Sequence, residues 1–394
     1  MKILFVTQES NTRPSGVKTV INNLCKEWND DELIILMNQK YCDTELLLTE
    51  VQNKVQIKRT PFMLPSEILS YIKISEFPTI LNIVIKVAMK ILFLVYSFMY
   101  IIWLSFWLKK YGVDTIINHN GGWPGGELNR WLAISGKLAG VKTNILVLHS
   151  MPVKYKLFIK YFLFLRDRFV ELCCHKIITT SNSCRDAIHR EAGFKELAFV
   201  IHNGIPTKKP KVKNTLPPWD KKQLSIGFFG GLNHFKGIHI LIESLQYIET
   251  PCELILIGNG DEKYIDYLKS LSEKSKWKVH FLGFRDDALS LYQWIDIVAL
   301  VSIRFESFGI TLLEGMLWNK PVVCSDFGGM NEIVIEKENG LISHANSVKD
   351  LAVSLDKILS NDTLRQDMGK RGRKRLEDFF SAKLMYSNYK SLIQ

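Results

Sequence analysis

Short runs with an apolar centre recur along the chain, most followed by a polar or glycine-bearing loop and then by a stretch of helical period. Ile3-Leu4-Phe5-Val6, Leu33 to Met37, Lys110 to Ile117, Asn144 to Leu148 and Cys174 to Ser181 make one series. Leu224 to Phe229, Leu254 to Ile257, Ile295 to Val301 and Pro321 to Cys324 make a second. Runs without alternation read as strands buried on both faces, the mark of a parallel sheet. Interleaved with helices such as Val17 to Trp28, they predict an α/β protein with two such sheets. Val55 to Arg59 reads as a further strand, and Phe379 to Leu392 as a terminal helix.

One segment breaks the pattern. Ile91 to Leu108, ILFLVYSFMYIIWLSFWL, runs 18 residues without a charge, long enough to cross a bilayer. Topology argues against a span, because one crossing would put the early strands on the far side of the membrane from the strand at Lys110 to Ile117. The segment 80–108 is also too short for a hairpin of two full spans. It is read as a long helix lying in one leaflet, with Lys86, Lys90, Lys109 and Lys110 for anionic headgroups and Trp103 and Trp107 for the interface. The alternative is a buried core helix. Val153 to Arg168, VKYKLFIKYFLFLRDR, interleaves cations with aromatics and suits the same interface, or a surface helix with snorkelling lysines.

A chain of 394 residues exceeds one ordinary core, so two domains are expected. The net charge of +11 is uneven: residues 1–205 carry 25 Lys and Arg against 17 Asp and Glu. A basic first half favours anionic partners, and no nucleic-acid motif accompanies it. Seven cysteines without C-x-x-C spacing indicate a reducing compartment and no zinc site. Met1-Lys2 with four apolar residues is too short for a signal peptide. No D-x-D occurs, so no catalytic divalent metal is expected, and no cofactor.

The chemistry concentrates in loops at strand ends. Gln8 to Gly16 has a single glycine, which is not a dinucleotide fingerprint. Asn118 to Gly126 is a glycine-rich loop after a strand, and His149 closes another. Gly230-Gly231-Leu232-Asn233-His234-Phe235-Lys236-Gly237 delivers backbone N–H groups and Lys236 to a helix N-terminus, a seat for a diphosphate. Glu306 and Glu314 have seven residues between them in Arg304 to Val334, RFESFGITLLEGMLWNKPVVCSDFGGMNEIV. With a helix over Thr311 to Leu317, Glu314 falls in the first turn, and Phe308-Gly309-Ile310-Thr311 is the loop at its N-terminus. The run Lys370 to Arg375 reads as a solvated helix face.

Glu306-Ser307-Phe308-Gly309 through Glu314-Gly315-Met316, then Pro321-Val322-Val323, Gly328-Gly329 and Glu332, resembles the E-x7-E signature of retaining glycosyltransferases of family 4. The resemblance implies a GT-B fold: two Rossmann-like domains facing across a cleft, with a C-terminal helix crossing back to the first. Domain one is set at 1–206, the linker at 207–222, the nucleotide-sugar domain at 223–375 and the returning helix at 376–394. By resemblance, Glu306 and His149 are catalytic. The donor is held by Gly16, Gly230, Gly231, Lys236, Phe284, Arg285, Arg304, Phe308, Gly309, Ile310, Thr311 and Glu314. Gly231 departs from the family's arginine, so a diphosphate cation is missing or comes from elsewhere, Arg304 being the candidate.

The resemblance further implies sugar transfer from a nucleotide-diphosphate donor, UDP being commonest, with retention. The membrane features point to a lipid-linked acceptor in bacterial surface polysaccharide assembly, and to a cytoplasmic protein peripheral on the inner face of the cell membrane. Two alternatives remain: a non-catalytic partner subunit, and a nucleotide-sugar epimerase on the same fold.

Overall fold

The computed structural model of the protein describes residues 1–8, 16–38, 51, 54–69, 79–150, 152, 154–155, 157–195, 199–210, 216–304 and 306–393. They separate into two compact units, Met1–Ile201 with Tyr386–Gln394, and His202–Met385. Most of the Gln8 to Gly16 loop lies outside the described residues, as do 211–215 of the expected linker, and Val153 and Lys156.

Unit one holds β1 (Lys2–Thr7), β2 (Glu32–Met37), β3 (Val55–Arg59), β4 (Thr115–Asn120), β5 (Thr143–Leu148), β6 (Lys176–Thr179) and β7 (Phe199–Val200). They form one parallel sheet in the order β3-β2-β1-β4-β5-β6-β7. The order reverses between β1 and β4, where Thr7 pairs with His119. Loops leaving adjacent strands diverge at such a switch point, which opens a crevice at the strand C-termini. β4 runs on through Asn118-His119-Asn120, which the sequence places in a loop. The two asparagines stay in the sheet because their side chains are satisfied there. Asn118 Nδ2 donates to Asn129 O at 2.7 Å, and Asn120 Nδ2 to Gly125 O at 2.8 Å.

The helices that matter here are α1 (Gly16–Glu27), α2 (Thr79–Tyr111), α3 (Glu127–Ala139) and α4 (Leu157–Cys173). Helix α2 shows both faces that the sequence leaves open. Tyr100, Leu104 and Leu108 repeat every four residues and pack with Leu4, Val6, Ile34 and Trp131. Leu104 and Leu108 each stabilise the unit by about 1.5–3 kcal/mol through burial. The opposite side bares Ile91, Leu94, Phe98, Ile102 and Phe106. Tyr96, Trp103 and Trp107 line the flank between the two. Ile91–Tyr111 is long and apolar enough to cross a bilayer, and 22% of it is buried.

Helix α4 likewise exposes Tyr161, Phe162, Leu165, Phe169 and Leu172. Its arginines turn inward. Arg166 Nη2 pairs with the fully buried Asp167 at 2.7 Å, and Arg168 pairs with Glu171.

Unit two holds β8 (Leu224–Phe229), β9 (Cys252–Ile257), β10 (Lys278–Gly283), β11 (Ile297–Leu300), β12 (Val322–Ser325) and β13 (Gly340–Ser343). Their order is β10-β9-β8-β11-β12-β13, again parallel. The switch lies between β8 and β11, where Ile226 pairs with Ile297. The chain therefore leaves the sheet side by side at Gly230 and at Val301. The helices concerned are α5 (Ile238–Ser244), α6 (Ile310–Leu317) and α7 (Asp362–Phe379).

The basic run on α7 is not a solvated face throughout. Arg373 Nη1 donates to Leu317 O at 2.9 Å, and Arg375 Nε to Ile333 O at 2.8 Å. Both guanidinium groups satisfy carbonyls at the ends of α6 and of the turn Met330–Ile333, as cations do at helix C-termini.

The last helix, α8 (Ala382–Ile393), starts three residues later than the periodicity suggests. Residues 380–382 instead bridge to Ile205, whose N–H donates to Phe380 O at 3.0 Å and whose carbonyl accepts from Ala382 N at 2.8 Å. A Cβ on Gly204 would stand 2.4 Å from Ser381 O, which explains the glycine in Asn203-Gly204-Ile205-Pro206. From Tyr386 onward the chain packs in unit one: Tyr386 meets Trp28 edge-on at 5.1 Å, and Lys390 pairs with Asp31. This is the returning C-terminal helix that the sequence leads one to expect.

Candidate active site

The two loops that leave β8 and β11 are fastened to each other. After Gly230 and Gly231, the turn His234–Lys236 ends on Gly237 at φ 69°, where a Cβ would stand 2.2 Å from Val301 O. Ile303 N donates to Phe235 O at 2.9 Å. This places Lys236 Nζ on Glu306 Oε2, an ion pair whose carboxylate side is 15% exposed. Ser302 Oγ donates to the same oxygen at 3.4 Å. The Glu306 backbone is held from behind, where Gly329 N donates to Glu306 O at 2.9 Å. A Cβ on Gly328 would lie 2.0 Å from Glu306 O, and one on Gly329 2.3 Å from Ser307 O. Only a glycine pair lets these segments lie so close.

Helix α6 starts one residue earlier than the sequence suggests, because Gly309 takes φ 103° and serves as its N-cap. Glu314 is therefore in the second turn. Gly309 offers no side chain to the helix N–H groups, and Leu312 N bonds back to Gly309 O at 3.0 Å. Beside these groups Thr311 Oγ1 is buried without a hydrogen-bond partner, an uncommon state for a hydroxyl. Tyr292 OH donates to Glu314 Oε2 at 2.7 Å, and its ring stacks on Phe229 with centroids 3.6 Å apart. Burial pushes the Glu314 carboxyl up to about 7, against the opposing pull of the Tyr292 bond. Phe308 is packed against His202 and Phe380, so only its backbone can meet a ligand.

Other candidates in unit two have neighbours of their own. Arg285 forms a two-pronged bond with Asp287, at 2.8 and 2.7 Å. Phe284 is exposed. Arg304 lies with its guanidinium 4.4 Å above the Phe235 ring rather than on Glu306. Among the described residues no group of three His, Cys, Asp or Glu stands ready to hold a metal ion.

In unit one, Gly16 is exposed at the start of α1. His149 follows β5 directly, and its Nε2 lies 2.7 Å from Nδ1 of His119. Burial pushes His149 down to about 4; it also pushes His119 well down, with His149 adding to the effect. Sequence reasoning missed His119, Tyr292 and Ser302. Ser302 carried a signal, as the first polar residue past the C-terminal end of a buried strand. His119 carried one as well, lying in the Asn118 to Gly126 loop at a strand end, and Tyr292 carried none.

The family model described as Glycosyltransferase Family 4 matches residues 14–209, and the one described as Glycosyl transferases group 1 matches residues 213–375. A capsular polysaccharide biosynthesis glycosyltransferase, CapM of Staphylococcus aureus, is 29% identical over 59% of this chain and 65% of its own length. The N,N'-diacetylbacillosaminyl-diphospho-undecaprenol alpha-1,3-N-acetylgalactosaminyltransferase of Campylobacter jejuni is 30% identical over 38% of this chain and 39% of its own. Among solved structures, Anabaena HepE in complex with UDP-glucose superposes with a TM-score of 0.73 at 20% identity, over 100% of this chain and 99% of that one. With one family model on each half, and with the two parallel sheets arranged as they are, the chain belongs to the GT-B glycosyltransferases of the family 4 type.

Proposed function

We propose that the protein is a retaining glycosyltransferase. It moves a sugar from a UDP-sugar to a lipid-linked glycan during assembly of a bacterial surface polysaccharide. The observation that carries this reading is the pairing of Lys236 with Glu306 beside the Gly309-capped start of α6. That arrangement pairs a cation with a partly exposed carboxylate three residues before the uncapped N-terminus of a helix. A diphosphate takes the Lys236 ammonium and the N–H groups of Ile310 and Thr311, with the Thr311 hydroxyl close by. Releasing Lys236 frees Glu306 to face the sugar ring and to stabilise positive charge developing there. The same donors offset the charge on the leaving diphosphate, and no divalent ion is assigned a step. Glu314, held at one oxygen by Tyr292, takes ribose hydroxyls on the other. Retention rests on the E-x7-E resemblance, which implies that the leaving phosphate takes the acceptor proton on the face where the new bond forms. UDP is supported by the HepE complex, and a lipid-linked acceptor by the name of the Campylobacter relative.

The Glu314 carboxyl stands above the ordinary carboxylate range, so it is protonated below about 7 and ionised above. Ribose hydroxyls need the ionised form as acceptor. Titrating the protein with UDP and with GDP at several pH values should show affinity for one of them falling as pH drops below about 7. The slope should approach about tenfold per pH unit, and Glu314→Gln should flatten it. If neither nucleotide binds to folded protein, the non-catalytic subunit reading takes over.

We assign the bared apolar faces of α2 and α4 to the cytoplasmic leaflet of the cell membrane. The aromatic flank on α2 runs along the helix rather than at its two ends, which suits a helix lying in the interface and not across it. Lys109 and Lys110 lie exposed at its end. Vesicles with anionic lipid should sediment the wild type, and Phe98→Asp with Phe106→Asp should stay in solution. Wild type left in the supernatant would remove the membrane from the picture.

A further inference from the structure

We infer that His119 is a positioning residue that fixes the tautomer of His149, so that His149 presents an N–H donor at its accessible edge. The rings of the pair are tilted by only 23°, with centroids 5.0 Å apart and Nδ1 to Nε2 at 2.7 Å. That geometry is an in-plane N–H···N bond, not a face-to-face stack. Both rings are buried and held neutral, so the bond contains one proton, contributed by one ring or the other.

The outer nitrogens decide which. His119 Nε2 is buried without a hydrogen-bond partner. Were His149 the donor, His119 would carry its proton on Nε2, an N–H sealed from every acceptor. Buried N–H groups without partners are rare, and leaving one costs about 1–3 kcal/mol. With His119 as donor, its proton sits on Nδ1 and Nε2 is left as a bare lone pair, the lesser penalty. His149 then accepts on Nε2 and carries its own proton on Nδ1.

His119 is not free to turn away. It sits in β4 between Phe5, 6.1 Å away at 26°, and Tyr389, 6.2 Å away at 36°. Among the described residues nothing bonds to His149 Nδ1, and it is not among the sealed polar atoms. The donor thus faces outward at the C-terminal end of β5. Its ligand is an oxygen acceptor, a sugar hydroxyl or a phosphate oxygen, and Nε2 is unavailable as a general base. The part that His149 plays in turnover rests on the reading proposed above; the tautomer does not.

The test is a long-range 1H–15N correlation spectrum of full-length protein labelled with 15N-histidine, with the two residues assigned by His149→Gln and His119→Asn. Both rings are expected to carry the proton on Nδ1, whereas free neutral imidazole side chains favour Nε2. His119→Asn keeps a side-chain N–H near the place of Nδ1 and should keep the His149 tautomer. His119→Leu removes it and should return His149 to the Nε2–H form. Wild-type His149 protonated on Nε2, or a tautomer unmoved by His119→Leu, would overturn the inference. If His119→Leu does not fold, the wild-type spectrum still decides. Nucleoside diphosphate release is read alongside: His119→Leu should fall to the level of His149→Ala, with no further loss in the double variant. Wild type that releases none would sink the transferase reading and leave the spectrum to stand by itself.

Discussion

Glu306→Gln should lower nucleoside diphosphate release about 10²–10³-fold while leaving the melting temperature close to wild type. The amide has the shape of the carboxylate and keeps an oxygen for Lys236 and Ser302, so the loop has little reason to move. What disappears is the negative charge. In the free protein that charge neutralises Lys236, whose side chain is 30% exposed and can fall back on water. The lost pair is therefore a minor stability effect, since the ammonium it leaves behind can be solvated. In the reacting complex the same charge faces the ring as positive character develops, at a site only 15% exposed. Electrostatic terms grow as water is excluded, so the loss falls on the rate and not on the fold. UDP affinity should not fall, because Glu306 is assigned to the sugar and its lost charge leaves Lys236 open to the diphosphate. A variant with wild-type turnover would take Glu306 out of the reaction.

Gly328→Ala should cost stability and turnover together. At φ 62° an L-residue meets strain of about 1–2 kcal/mol. Its Cβ would also stand 2.0 Å from Glu306 O, so backbone on one side must move. The segment that moves is the one presenting Glu306 to Lys236. The contributions separate by comparison with Gly112→Ala, which has φ 60° and nothing within 4 Å of the new Cβ. That variant should show a modest loss of thermal stability and unchanged turnover. Gly328→Ala should melt lower than Gly112→Ala and lose most of its turnover. Equal behaviour of the two variants in both measurements would mean that the glycine pair does not position Glu306.

Most strands were legible because they are buried on both faces and contain few polar residues. The exception shows the limit. Asn118-His119-Asn120 continues β4 against composition, and only its partners, residues 125, 129 and 149, explain why. Pairings of that kind join positions far apart in the chain and leave no local pattern. Tyr292 was hidden for the same reason: its value lies in Glu314, 22 residues on. The glutamate pair could be read because spacing within one loop and helix is local. Arg285 has a local partner that the sequence already offers, since Asp287 stands two residues away and takes both prongs of the guanidinium. Arg373 and Arg375 look like surface charge until the carbonyl ends they satisfy are seen.

The return of α8 bears on how the protein is made. Trp28, Asp31 and His119 in unit one find Tyr386, Lys390 and Tyr389 only in the last stretch of the chain. Unit one ends at Ile201 and resumes at Tyr386. At about 5–20 residues per second a ribosome takes roughly 10–40 s to cover that interval. For all of it, the sheet that carries His149 stands on the ribosome with its final helix still unsynthesised, while unit two is completed in between. The first half to emerge is therefore the last to be finished.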